Sequence, residues 1–133
     1  SRLNGWDFIH EPTMNLIGNF SCCLFRTTGL KSMPDFMYET RLNEIAVAFH
    51  FDKQGSIGFI KKIMSIYRQH SNGLWTGSDK IAQLRSGLAA RKMAKLVAAD
   101  IYKSAIDEIM EIKYVAPLSE SGYTESALCT TDV

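Results

Sequence analysis

The sequence predicts an all-α protein with a single domain, a bundle of four or five helices. Apolar residues recur at steps of three and four along most of the chain, which is the period of helices with one buried face. Pro, Gly, Ser and Asp residues separate these stretches, where helices begin and end. The 133 residues are 46% hydrophobic and 22% charged, enough for one hydrophobic core. We therefore expect a helical bundle at residues 1–116 and an extended or mobile tail at residues 117–133.

The first two helices are predicted at residues 12–28 and 32–51. A proline suits the first turn of the first helix, and Gly29 suits the position just after its end. Ser32 is a candidate N-cap for the second helix, which continues into a wide apolar band. The turn-forming residues 52–55 then end the second helix.

A third helix is predicted at residues 56–70, with apolar side chains on one face and basic side chains on the other. Its inward residues are Ile57, Ile60, Ile63, Met64 and Tyr67. Residues 71–73 have the composition of a loop, which separates this helix from the next.

The fourth helix is predicted from Ser78 to Tyr114. Residues 76–79 supply capping chemistry for its start, and Gly87 is a candidate interruption. Beyond Gly87, small and apolar residues recur at steps of three and four, so another helix can approach closely along this seam. The seam consists of Ala90, Ala94, Val97, Ile101 and Ala105.

The formal net charge of +1 conceals a separation of charge along the chain. Residues 1–52 carry four basic and six acidic side chains, residues 53–99 nine and one, and residues 100–133 two and seven. A basic surface on the middle third is therefore predicted, with an anionic partner such as phospholipid headgroups, acidic glycoprotein or nucleic acid. The alternative is that these cations are ordinary solvated helix faces. The candidate binding residues are Lys53, Lys61, Lys62, Arg68, Arg85, Arg91, Lys92 and Lys95.

Large apolar residues near the N-terminus and before the fourth helix are candidates for insertion into a membrane interface. They are Trp6, Phe8, Leu74 and Trp75. The alternative is that they pack on the bundle. No apolar run reaches the roughly 18 to 20 residues that a spanning helix requires, so attachment rather than insertion across a bilayer is expected.

Motifs for catalysis and metal binding are missing from the sequence. It contains no His-Glu-x-x-His, P-loop, Gly-x-Ser-x-Gly or dinucleotide-binding pattern. We therefore expect no enzymatic activity, no catalytic residues, no metal and no cofactor. Cys22, Cys23 and Cys129 allow at most one internal disulfide, so either the thiols are free or one of the adjacent pair joins Cys129.

Three stretches resemble, in order and spacing, the sperm lysin family of abalone. Residues 6–12 resemble the mature N-terminus of the family, an aromatic and aliphatic entry ending in Glu-Pro. Residues 57–63 resemble its aromatic-Ile-x-Lys-Lys-Ile helix, and residues 81–93 resemble its later helix with paired basic residues. Together these stretches place the resemblance over residues 6–114.

The resemblance implies a lysin-like five-helix bundle that is secreted, stored in the acrosomal vesicle of sperm and active on the egg without enzymatic chemistry. A chain that starts at Ser1 is expected after removal of a signal peptide. Two activities are known in this family: one loosens the egg vitelline envelope, and the other fuses membranes.

We expect the fusogenic activity, because a separate basic zone and a high apolar content suit a bundle that attaches to an anionic membrane surface. Self-association into a homodimer through an apolar patch is also expected. Of the three anionic partners considered above, the resemblance favours the membrane or the glycoprotein, and nucleic acid is no longer expected. One alternative is a lysin-like protein that binds egg-coat glycoprotein and dissolves the envelope. Another is an intracellular adaptor whose residues Thr131, Asp132 and Val133 fit a PDZ-type groove.

Overall fold

A computed structural model describes residues 1–73 and 76–122 of the chain. Helices make up 55% of these residues, as predicted, and a two-stranded antiparallel sheet is added to them. The elements in order are β1 (Arg2–Leu3), α1 (Gly5–His10), a 3-10 turn (Phe20–Cys22), α2 (Thr27–Lys31), α3 (Phe36–Glu39), α4 (Glu44–Asp52), β2 (Ile57–Gly58), α5 (Lys80–Val97), α6 (Asp100–Met110), a π-helical turn (Glu111–Val115) and α7 (Ala116–Glu120).

The core lies where α4 packs on α5 and α5 packs on α6. Helix α4 is its most deeply buried part, since every residue from Ile45 to His50 is buried. The Phe49 ring contacts the rings of Phe8 and Tyr102, with centroids 6.1 and 5.6 Å away. Helices α1 and α6 are thereby joined to α4 through one aromatic cluster.

The helix predicted at residues 12–28 is wrong, because polar side chains in this region bind the backbone that a helix needs. Glu11 Oε2 accepts a hydrogen bond from Thr13 N at 2.7 Å, and Asn15 Oδ1 accepts one from Gly18 N at 3.0 Å. Met14 and Gly18 have φ values of 55° and 79°, outside the right-handed helical region. Such local side-chain bonds compete with helix formation, so residues 11–26 form turns with one 3-10 turn. Gly29, the predicted stop, lies inside α2 instead.

The first helix instead begins earlier, at Gly5. Asn4 caps it, because its Oδ1 accepts a hydrogen bond from Trp6 N at 2.9 Å. The carboxylate of Asp7 accepts one from Asn4 N at 2.8 Å and completes a capping box. The capping box starts α1 at Gly5, and α1 ends at His10, two residues before Pro12.

The second predicted helix is divided into α3 and α4. Asn43 starts α4 as its N-cap, with Oδ1 accepting from Ala46 N at 2.9 Å. The predicted turn at residues 52–55 is confirmed, since Gln54 N donates to Phe51 O at 2.9 Å and Gly55 has a φ of 141°. Thr40 and Asn43 have extended backbone, with ψ angles of 173° and 152°, and this separates α3 from α4.

The helix predicted at residues 56–70 is also wrong. Strand β2 pairs with β1, so that Ile57 lies opposite Leu3, and Phe59 N donates to Ser1 O at 2.8 Å. Backbone groups committed to a strand cannot open a helix, and Gly58 lowers helix propensity further. Residues 59–70 then continue without regular secondary structure and with every residue exposed.

The fourth predicted helix is broken at Ala98 and Ala99, whose ψ angles of 153° and 149° are extended. Its start is capped by Asp79, and Gly87 does not interrupt it. The break turns the chain so that α6 packs back on α5. The predicted seam therefore holds through Val97 and fails at Ile101, which is exposed, while Tyr102 and Ile106 are buried instead.

The tail boundary predicted at residue 117 falls inside α7. Pro117 lies in the first turn of this helix, where its missing N–H is tolerated, and Leu118 is fully buried. The predictions that concern Cys129 and the last three residues lie outside the described residues. Cys22 and Cys23 are free thiols, the first exposed and the second half-buried.

Candidate functional site

Residues 59–70 form the most exposed apolar stretch of the described chain, and we refer to them as the 59–70 segment. Five of its large apolar side chains are between 62% and 93% exposed, and Phe59 is 41% exposed. The five are Ile60, Ile63, Met64, Ile66 and Tyr67. Folded proteins expose single apolar side chains routinely, but a contiguous group of this kind marks an interaction site.

The same segment carries Lys61, Lys62 and Arg68, all exposed. No Asp or Glu occurs in the sequence between Asp52 and Asp79, so no acidic neighbour along the chain neutralises these cations. Within the described residues, none of the three forms an ion pair. Apolar and cationic groups are therefore presented to solvent together.

The start of the 59–70 segment is fixed to the N-terminal strand, and its end is a local turn. At its start, the pairing of β1 with β2 holds the backbone of Phe59. At its end, the carbonyl oxygen of His70 accepts hydrogen bonds from Gly73 N at 3.0 Å and from Thr76 Oγ1 at 2.5 Å. Midway, Ser65 Oγ lies 3.1 Å from the Cys22 sulfur. The segment, which we also call the strap, is thus attached to β1 at its start, contacts Cys22 at its centre and ends in a turn.

The predicted cations differ in their exposure and in their pairing. Lys53 and Arg85 are exposed like those of the strap, whereas Lys92 and Lys95 on α5 are half-buried. Lys95 pairs with Asp107 at 2.6 Å and Lys103 pairs with Asp100 at 2.9 Å. A cleft of about 430 Å³ between α5 and α6 is lined by Lys92, Lys95, Leu96, Lys103 and Met110. Its lysines are partly neutralised, so the 59–70 segment is the stronger candidate for an anionic partner.

Arg91 is a correction to the predicted binding set, because it is buried and cannot reach a partner. Its guanidinium donates to the carbonyl oxygens of Thr13 and of Gly87, the latter at 3.2 Å, and lies 4.8 Å from the centre of the Tyr114 ring. Burial lowers the pKa of Arg91, although Tyr114 and Glu11 oppose this shift. Arg91 therefore holds the loop after α1 to α5.

Of the four residues predicted to insert into a membrane interface, the structure describes Trp6 and Phe8, and these two differ in burial. Phe8 is fully buried in the core, so its assignment to a binding surface is wrong. Trp6 is 40% exposed, and its ring packs edge-on against Tyr102 with centroids 5.1 Å apart. Leu74 and Trp75 lie outside the described residues. Trp6 alone of the described pair remains available at the surface.

Sequence reasoning missed the apolar side chains of the strap because it placed them inside a helix. One signal pointed the other way. The stretch between Asp52 and Asp79 has no acidic residue, so it lacks the ion pairs that usually stabilise an exposed helix face.

The described residues offer little for other kinds of site. Over residues 1–73 and 76–122, no group of three His, Cys, Asp or Glu side chains is close enough to hold a metal ion. No helix in these ranges is both long and apolar enough to cross a bilayer. Comparison of the chain with protein-family models, curated proteins and solved structures found no match.

Proposed function

We propose that this protein is a non-enzymatic protein that binds anionic membrane surfaces through the 59–70 segment and promotes the fusion of membranes. The observation that carries the proposal is the joint exposure of six large apolar side chains and three cations in one strap. In keeping with the sequence resemblance, we further propose a lysin-like protein that is secreted, stored in the sperm acrosomal vesicle and active at sperm–egg membrane fusion.

The physical basis is that an interfacial protein needs two attractions. Each Lys or Arg near an anionic surface contributes about 1 kcal/mol, so Lys61, Lys62 and Arg68 together supply about 3 kcal/mol. Apolar area that enters the headgroup boundary adds about 25 cal/mol per Å². Several exposed side chains of the size of Ile and Tyr therefore add several kcal/mol more.

The same apolar side chains would also bring two copies together in solution. A homodimer formed through the 59–70 segment would hide its apolar groups until lipid competes for them. Sedimentation equilibrium should then show a dimer that dissociates when anionic vesicles or mild detergent are added. A monomer at every concentration would remove the dimer from the proposal and leave lipid binding intact.

Binding to lipid vesicles tests the proposal directly. We expect sedimentation with vesicles that contain phosphatidylserine, weak binding to phosphatidylcholine alone, and a steep loss between low salt and about 0.15 M, where the Debye length is about 8 Å. The Lys61→Glu/Lys62→Glu variant should bind at least about thirtyfold more weakly, since two favourable charges become repulsive. Lipid mixing between labelled vesicles measures fusion itself.

A matched control reverses two exposed cations elsewhere. Arg26→Glu/Lys31→Glu changes net charge equally but leaves the strap intact, so it should bind nearly as well as the unaltered protein. Equal losses in both variants would mean that overall charge, not the strap, determines binding. If vesicles stay unbound and isolated egg envelopes dissolve, the lysin-like role replaces the fusogenic one.

A further inference from the structure

We propose that the 59–70 segment folds into an amphipathic helix when it contacts an anionic lipid surface. This inference rests on the proposed function, and it adds the conformation in which the segment binds. It concerns the lipid-bound state, because the free protein has no regular secondary structure in this segment.

The helical arrangement separates the two kinds of side chain. At 3.6 residues per turn, the six large apolar side chains fall within about 160° of the circumference. The polar side chains occupy the remaining face, and only His70, at the end, lies on the apolar side. The polar face consists of Lys61, Lys62, Ser65, Arg68 and Gln69. Such a helix would immerse one face in the interface and keep its cations at the headgroups.

A strand would not make this separation. With a period of two, one face would carry Phe59, Lys61 and Ile63, and the other would carry Ile60, Lys62 and Met64. Each face would then mix cations with apolar groups, so immersing either face would bury a lysine. The helix is therefore the regular conformation that fits a lipid surface.

Within residues 1–73 and 76–122 of one molecule, no helix or strand covers the apolar side chains of this segment, which stay exposed. An isolated helix of this length is marginal in water, and the isoleucines of the segment lower its propensity further. Light contact with the body at Ser65 and Cys22 does not replace a hydrophobic groove. At the membrane interface the balance changes, because unpaired backbone N–H and C=O groups are costly there and a helix pairs them internally.

Ser65 gives a matched pair of variants in the full-length protein. It lies on the polar face near the middle of the segment, so Ser65→Pro blocks the helix while Ser65→Ala preserves it. Both lose the contact with Cys22, which removes that contact as an explanation. Residue 65 is exposed and outside every helix and strand, so both variants should unfold in solution at the same temperature as the unaltered protein.

When phosphatidylserine vesicles are added, the circular dichroism of the unaltered protein and of Ser65→Ala should show more helix. Hydrogen exchange at residues 59–70 should become slower in both proteins. Ser65→Pro should show neither change and should bind about a hundredfold more weakly. Binding of the unaltered protein without either change overturns the helix and leaves the proposed function standing. Equal binding by the proline and alanine variants also overturns the helix. Failure of the unaltered protein to bind overturns the proposed function and this inference with it.

Discussion

Helix α4 and the 59–70 segment are both at least half apolar, yet one is the most buried part of the described chain and the other is its most exposed apolar stretch. In α4 the residues from Ile45 to Phe49 carry no charge, and Asn43 caps the helix start. In the segment, cations interrupt the apolar residues at Lys61, Lys62 and Arg68. Apolar content alone therefore does not determine burial. The spacing of charges and the presence of a packing partner decide it.

The largest expected difference comes from the same truncation in each region. Ile45→Ala should lower the free energy of unfolding by about 2–5 kcal/mol, because it leaves a cavity between α4 and its neighbours. Ile63→Ala should change it by less than about 0.5 kcal/mol, because the side chain already lies in water. Urea unfolding of both variants measures the contrast. Similar losses in the two variants would show that the strap packs on the body in solution.

The two kinds of cation provide the next comparison. Arg91→Met should cost about 2–3 kcal/mol of stability, since the carbonyl oxygens of Thr13 and Gly87 lose a charged donor. Hydrogen exchange in the loop at residues 11–18 should become faster. Arg68→Met should leave stability unchanged and weaken vesicle binding by about fivefold, which corresponds to about 1 kcal/mol. A stable Arg91→Met protein with an unaltered loop would contradict the buried role of Arg91.

A smaller contrast is expected at two glycines. A methyl group on Gly87 would overlap the ring of Tyr114. This overlap costs more than alanine gains in helix propensity, so Gly87→Ala should lower the free energy of unfolding by about 1 kcal/mol. A methyl group on Gly58 meets open space, and Gly58→Ala should be neutral or slightly stabilising. Thermal unfolding of the two variants distinguishes these sites. Destabilisation at Gly58 alone would show that β2 is more confined than its surroundings indicate.

The smallest effect should be in the pH dependence of the stability, to which Glu11 contributes. Burial alone would raise the pKa of this carboxyl, but hydrogen bonds from Thr13 and Asn15, with the charge of Lys113, lower it below its usual value of about 4.5. The folded protein therefore binds this proton less readily than the unfolded chain. The ionised carboxylate of Glu11 therefore stabilises the fold fully when the pH is above about 4.5. This stabilisation is lost as the pH falls through the folded-state pKa. Glu11→Gln should flatten this part of the stability profile, and an unchanged acid limb would contradict it.

The sequence allowed the helical class and the region of the candidate site to be predicted, but not the conformation of that site. Periodicity gave α5 and the inward positions of Ala94 and Val97, because a long helix repeats its pattern many times. It failed at Ala98 and Ala99, since two alanines carry no local signal for a break. It also failed at residues 59–70, where the sequence has the pattern of an amphipathic helix but the segment is exposed and has no regular secondary structure.

The prediction of Arg91 as a surface residue failed for a related reason. Charge along the sequence shows how many cations a region has, but not which one a neighbouring loop surrounds. The two carbonyl oxygens that bind Arg91 come from residue 13 and residue 87, far apart in the chain. Only the folded arrangement brings them together, so no local pattern could separate Arg91 from Lys92.

The exposure of the 59–70 segment has a consequence for proteolysis. Trypsin can cut after Lys61, Lys62 or Arg68 without entering the core, since all three are exposed. The cut separates a fragment that contains α4 from one that contains α5, and these two helices pack on each other. The nicked protein should therefore remain a single particle, held by its core alone. Its stability would then depend on concentration, because unfolding would release two chains instead of one.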